Sequence, residues 1–273
     1  MKIDFGATAS DYAKHRAGFP SSLFNKLSEY GIGLPGQNIV DLGTGTGTLA
    51  RGFADRGAYV IGIDPSASLL EQARLLSESL QLKVDYRVAT AENTELPDAS
   101  ADVVTAGQCW HWFDRPRAVQ EITRILRRNG LLAIAHFDWI PLKGNVVEAT
   151  EQLIKAHNPA WNLDGGNGLY PLWLQDIGEG GFREIRTFSY DVFASYTHED
   201  WRGRIRASAG VGASLTPEKV EIFDQELAIL LEAKYPTPIL QVHHRVWAAI
   251  AKSPQSNSEF GIRNDALYET LKA

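Results

Sequence analysis

Apolar positions fall into two rhythms that alternate along the first half of the chain. Short β-branched or apolar runs, suited to buried strands, occupy residues 39–42, 58–63, 83–88, 101–107 and 131–139. After the first run the spacing turns helical at Leu49, Ala50, Phe53 and Ala54, and after the second at Leu69, Leu70, Ala73, Leu76 and Leu80. A further helix is predicted over 115–128, and an earlier one over 21–30 on the spacing of Leu23, Phe24, Leu27 and Tyr30. Strand and helix in turn predict an α/β protein with a doubly wound, mostly parallel sheet. From Pro141 the rhythm changes: helices are predicted over 146–157, 172–178, 197–206 and 216–234, and strands over 184–193 and 239–247. The helical block between these last two strands, residues 197–235, reads as a lid.

The turn after the first strand carries the chemistry. It runs Ile39-Val40-Asp41-Leu42-Gly43-Thr44-Gly45-Thr46-Gly47. Glycines at alternate positions leave almost no side-chain bulk and allow a ligand to approach backbone closely. The dinucleotide fingerprint Gly-x-Gly-x-x-Gly would place its third glycine at position 48, which is Thr48. Asp41, two residues before the turn, would repel a pyrophosphate but suits an ammonium group. The second strand leads to Asp64, a carboxylate placed to accept hydrogen bonds from two ribose hydroxyls. A ribose, a cationic amino-acid end and no phosphate describe S-adenosylmethionine. A nicotinamide-dependent oxidoreductase is the weaker alternative, since Thr48 and Asp41 both oppose it.

These residues, with Gly62-Ile63-Asp64-Pro65-Ser66, Ala91-Glu92, Ala101-Asp102-Val103-Val104 and Arg124 to Leu132, resemble the class I, seven-strand S-adenosylmethionine-dependent methyltransferases. The match covers roughly 36–139, a usual core length. That family often has a second glycine after Gly130; here the residue is Leu131. The resemblance implies a Rossmann-like seven-strand sheet with an antiparallel last strand, and methyl transfer by in-line displacement. It divides the chain into an N-terminal helical segment over the cofactor (1–35), the cofactor-binding core (36–140), the rest of the sheet with the lid (141–252) and a tail (253–273). It also implies that Tyr12 lies against the methionine end, that Arg16 pairs with the carboxylate, and that Ala91 and Glu92 sit beside the adenine. Gly43, Gly45 and Gln108 join Asp41 and Asp64 on the cofactor side.

The acceptor side is expected at the carboxyl ends of the fourth and fifth strands. Gln108-Cys109-Trp110-His111-Trp112-Phe113-Asp114 follows the fourth. Its pattern resembles the small-molecule branch that contains trans-aconitate methyltransferase-like proteins. Trp110 and Trp112 would exclude water and contact a sulfonium. His136 and Asp138 are two apart on the fifth strand and share a face, as a general base, a substrate clamp or part of a metal site. His111, His136 and Asp138 are therefore the candidate catalytic residues. One of His243 and His244 could join them from the last strand. Arg202, Arg204 and Arg206 could take an acidic substrate, with Arg202 and Arg206 on one helix face and Arg204 turned away. Together these point to a small-molecule acceptor, a carboxylic acid being one option.

Composition narrows the alternatives. The 273 residues are 44% hydrophobic, 22% charged and of net charge −6, which opposes a broad nucleic-acid-binding face. No Asn-Pro-Pro-Tyr-type run or basic stripe marks a base-modifying enzyme. The one cysteine, Cys109, excludes an internal disulfide and a cysteine-rich metal site. No signal-like apolar segment opens the chain, and no apolar run nears the ~18 residues a membrane span needs, so a cytoplasmic location is expected. A cofactor-binding regulatory module without turnover is the rival from another class; the aromatic and histidine-rich segments oppose it.

Overall fold

The computed structural model describes residues 18–254. Strands β1 (Asn38–Leu42), β2 (Tyr59–Asp64), β3 (Val84–Val88), β4 (Ala101–Gly107), β5 (Leu126–Trp139), β6 (Arg183–Thr197) and β7 (Ile239–Lys252) form one sheet. Its order is β3-β2-β1-β4-β5-β7-β6. The first five pair in parallel, and β7 runs antiparallel between β5 and β6. β1 is covered on both faces, which is why its run is nearly all apolar. Ile39 packs with Leu23, Phe24, Phe53 and Leu70 on one side. Val40 and Leu42 pack with Ile63, Trp110, Ile122 and Ile134 on the other.

The helices are α1 (Ser21–Ser28), α2 (Thr48–Ala54), α3 (Ala67–Ser79), α4 (Arg115–Ile125), α5 (Val146–His157), α6 (Trp173–Glu179), α7 (His198–Arg206) and α8 (Pro217–Lys234). Two boundaries differ from the sequence expectation for physical reasons. α4 stops at Ile125 and not near Arg128. Leu126 is already extended and pairs with Ala101, and Arg127 is drawn to Asp102 at 2.6 Å. Strands β6 and β7 each run several residues further than predicted because they pair with each other along most of their length.

Helices α5, α7 and α8 pack on one another over the start of β7. Trp201, Ile205, Phe223, Leu227 and Leu231 are fully buried there. At about 2 kcal/mol for each large apolar side chain removed from water, these contacts outweigh any exposed ion pair between the helices. Thr197 caps α7 by accepting from Asp200 N at 3.0 Å. Because β6 ends where β7 begins, with Thr197 opposite Ile239, α7 and α8 leave and rejoin the sheet at one rim. That rim also holds the carboxyl ends of the parallel strands.

Candidate active site

Gly43, Gly45 and Gly47 all adopt positive φ, of 60°, 56° and 79°. The turn is packed as well as twisted. A Cβ at Gly43 would stand 2.8 Å from Cys109 Sγ, and one at Gly47 would overlap the Tyr86 hydroxyl. Asp64 anchors the turn from β2. Its Oδ2 accepts from Gly45 N and its Oδ1 from Ser66 N, each at 2.9 Å. Each carboxylate oxygen keeps acceptor capacity beyond that one bond. Asp41 is 1% exposed, and both its oxygens are occupied: Thr44 Oγ1 donates at 2.6 Å and Thr105 Oγ1 at 2.7 Å. Where the sequence suggested direct contact with an ammonium group, the carboxylate is walled in and holds the turn. A cation above would meet its field. Burial pushes the Asp41 carboxyl up to about 6 against the pull of those hydroxyls.

Asp138 organises a second polar cluster, at the carboxyl end of β5. Tyr170 Oη donates to its Oδ2 at 2.6 Å, Gln108 Nε2 approaches Oδ1 at 3.4 Å, and His136 Nδ1 lies 3.3 Å from Oδ2. Burial raises the Asp138 carboxyl, but the neighbouring His136 ring and the hydrogen bonds from Tyr170 and Gln108 outweigh it, and it settles at about 2. The carboxylate is thus ionised and orients Nδ1. His136 Nε2 is buried and has no hydrogen-bond partner among the described residues. Around this imidazole stand the rings of Tyr170, Trp173 and His111, with centroids at 4.3, 4.8 and 5.8 Å. Register places this cluster two strands from the glycine turn: Leu42 pairs with Ala106, and Ala106 with Ile134. Two strand spacings are about 10 Å.

Other expected site residues sit elsewhere. Tyr12 and Arg16 lie outside the described residues. Trp110 is fully buried, with Nε1 donating to Asp176 Oδ2 at 3.2 Å, so it is core and not a pocket wall. Trp112 is 46% exposed beside His111. Ala91 is buried, and Glu92 Oε1 accepts from Asp114 N. Gln108, counted with the cofactor, turns its amide nitrogen to Phe137 O and Asp138 on β5. His243 shares a face with Arg245 and bonds Asp191 at 2.9 Å. His244 is on the opposite face, stacked on Phe137, with Nδ1 bonded to Val242 O. Neither joins His136 and Asp138, and among the described residues no three metal-ligating side chains converge. Arg202, expected to meet substrate, is taken by Asp224, which Arg206 also binds. Tyr170 and Trp173 were missed. They come from a loop and a short helix whose aromatics carry no periodic signal, and only the fold brings them to β5.

Residues 40–134 match the methyltransferase domain family. The chain is 30% identical over 154 residues to an uncharacterized methyltransferase of Mycobacterium bovis, covering 54% of this chain and 60% of that one. It is 27% identical over 220 residues to an uncharacterized methyltransferase of Schizosaccharomyces pombe, covering 79% and 82%. Phosphoethanolamine N-methyltransferase 2 of Haemonchus contortus, solved with S-adenosyl-L-methionine, shares the fold. Its TM-score is 0.53 at 19% identity, over 92% of this chain and 57% of that one. The chain thus spans about three fifths of the length of the mycobacterial relative. The architecture is the class I, Rossmann-like methyltransferase fold. Among the described residues no helix is long and apolar enough to cross a membrane.

The cradle fits that cofactor. A turn closed to side chains leaves backbone for the ligand, and Asp64 has lone pairs for a ribose. Burial also raises the Asp64 carboxyl. If a bound cation stands over Asp41 and ribose hydroxyls meet Asp64, both favour the ionised acids, and cofactor affinity should fall as pH drops through about 6. Between pH 7.5 and 5 the loss should reach roughly tenfold. Calorimetry across that range measures it, and a flat profile would contradict the assignment of Asp41. The same raised value means that ionising Asp41 costs the ligand-free fold stability as pH rises from the ordinary carboxylate range to about 6.

Proposed function

We propose that the protein transfers a methyl group from S-adenosylmethionine to a small-molecule acceptor, with Asp138-oriented His136 as general base. The observation that supports this most is the buried His136 Nε2, which lacks a partner while Nδ1 faces an ionised carboxylate. Such a pair fixes the tautomer: the proton stays on Nδ1, and Nε2 keeps a free lone pair. When bound, the cofactor supplies a methyl group activated by a sulfonium. Asp64 and the glycine turn would hold the nucleoside, and His111, Trp112 and Trp173 would wall the acceptor from water. His136 Nε2 would accept the acceptor's proton as the new bond to carbon forms. The reading has a direct test: the purified chain, incubated with methyl-labelled S-adenosylmethionine and a panel of small acids, phenols and amines. Label should move to at least one acceptor. Absence of cofactor binding would overturn it, and so would binding without transfer to any compound.

A further inference from the structure

Part of one sheet face is bare. Along the first five strands, the connections β1–β2, β2–β3 and β4–β5 carry the helices α2, α3 and α4, but residues 89–100, between β3 and β4, carry none. On the face that α4 covers at β4 and β5, strands β2 and β3 therefore have no helix over them. Val40 and Ile63 pack in the core on that face, and alternation from them places Tyr59 and Ile61 of β2 there, with Asp85 and Arg87 of β3. Tyr59 is 70% exposed. A groove of about 740 Å³ follows this surface, between Tyr59 and Ile61 on the sheet and Leu96 and Pro97 of the 89–100 connection. Its rim mixes Lys83, Asp85 and Arg87, and Arg87 already bonds Asp85 at 2.6 Å, so the groove offers little field to attract an anion. We propose that residues 255–273 of the same chain dock in this groove and cover the bare strands.

The described chain stops at the right place for this. After β7, Ser253 N donates to Gly130 O at 2.8 Å and Ser253 Oγ to Arg127 O at 3.2 Å, so the chain leaves the sheet at its amino rim, beside the first half of β5. Pro254 lies next to Gly181, whose neighbours Gly180 and Phe182 pack on Val119 of α4 and on the core beneath it. The exit is thus on the same face as the groove. The groove opens at the same rim, at Asn38, Tyr59 and Lys83, where β1, β2 and β3 begin. Three strand spacings, about 15 Å, separate β5 from β2. Residues 255–263 have an extended reach of about 30 Å, twice what is needed. Residues 255–273 lie outside the described residues, but their sequence suits the groove. Phe260, Leu267 and Leu271 recur at helical spacing, and Asp265 and Glu269 fall on the opposite side. That stripe would supply the cover the β3–β4 connection lacks, with its apolar side on Tyr59, Ile61 and Leu96. A segment tethered at the rim acts at an effective concentration in the millimolar range, so it outcompetes the same segment of a second copy at micromolar protein.

The test uses the full chain throughout. With Tyr59→Cys and Leu267→Cys combined, mild oxidation at micromolar concentration should close a disulfide within one chain. Phe193→Cys, at an equally exposed position on β6, should not cross-link when combined with the same Leu267→Cys. The native Cys109 is buried. In thermal unfolding, Leu267→Asp/Leu271→Asp should lower the melting temperature by about 4 °C or more. Tyr59→Asp should lower it comparably, although an exposed tyrosine in an empty groove would lose almost nothing. All three substitutions together should cost little more than either set alone, because they remove the same contact. Unchanged melting in both variants, additive losses, or equal cross-linking from Tyr59 and Phe193 would overturn the assignment. Disulfides formed only between chains would also overturn it, and would give the groove to the segment of a second copy. Should Tyr59→Asp not fold, the cross-linking pairs and the Leu267→Asp/Leu271→Asp variant still decide. None of these readouts depends on methyl transfer.

Discussion

Replacing Asp64 by alanine should weaken S-adenosylmethionine binding by about 100-fold or more, since a buried acceptor that meets charge-assisted hydrogen bonds is lost. Two losses combine. The ribose loses its acceptors, and the turn loses the bond from Gly45 N that sets its distance from β2. Ser66 N, at the cap of α3, loses its partner as well. Asp64→Asn keeps an oxygen for one of these donors and should fall between. Isothermal calorimetry gives the affinity, and circular dichroism separates a lost ligand from a lost fold. An Asp64→Ala protein that folds and binds with unchanged affinity would remove the basis for the cofactor assignment.

The second large effect is expected at His136. If its Nε2 takes the acceptor's proton, His136→Ala should lower kcat by roughly 10²–10⁴-fold, the range of general-base contributions. Cofactor affinity should stay near the wild-type value, because β5 lies two strands from the glycine turn. Asp138→Asn is the finer probe. It keeps most of the shape but removes the charge that holds the proton on Nδ1, so kcat should drop while KM changes little. Raising the pH should recover rate in both variants if the acceptor can ionise unaided. A His136→Ala enzyme with wild-type kcat would leave alignment alone as the catalytic device.

Much of the glycine turn and the placement of its two carboxylates was legible in the sequence because the signals are local. Asp41, the three glycines and Asp64 lie within a single strand–turn–helix–strand unit, where β-branched runs and helical spacing fix which end of each strand they occupy. The acceptor end was legible only in part. His136 and Asp138 share a face by simple alternation, and that could be seen. Their companions Tyr170 and Trp173 arrive from a distant loop and a seven-residue helix, and no periodicity points them at β5. Arg202 and Arg204 show the same limit. Helical spacing separated their faces correctly, but which face met Asp224 depended on how α8 packs. His243 and His244 alternated as expected, yet Asp191 on the neighbouring strand and the Phe137 ring claimed them. Trp110 and Trp112 looked alike in sequence, and burial divided them.

The reversed direction of β7 has a wider meaning. One antiparallel strand brings the exit of β6 and the entrance of β7 to a single point, so whatever is spliced there hangs as a closed loop above the ligand. Such a graft can be lengthened, shortened or exchanged without disturbing the register of any strand that touches the nucleoside. The sheet and the α7–α8 segment are in this way separately replaceable parts, and on the methyl-transfer reading a transplanted α7–α8 segment should carry its preference for acceptor with it.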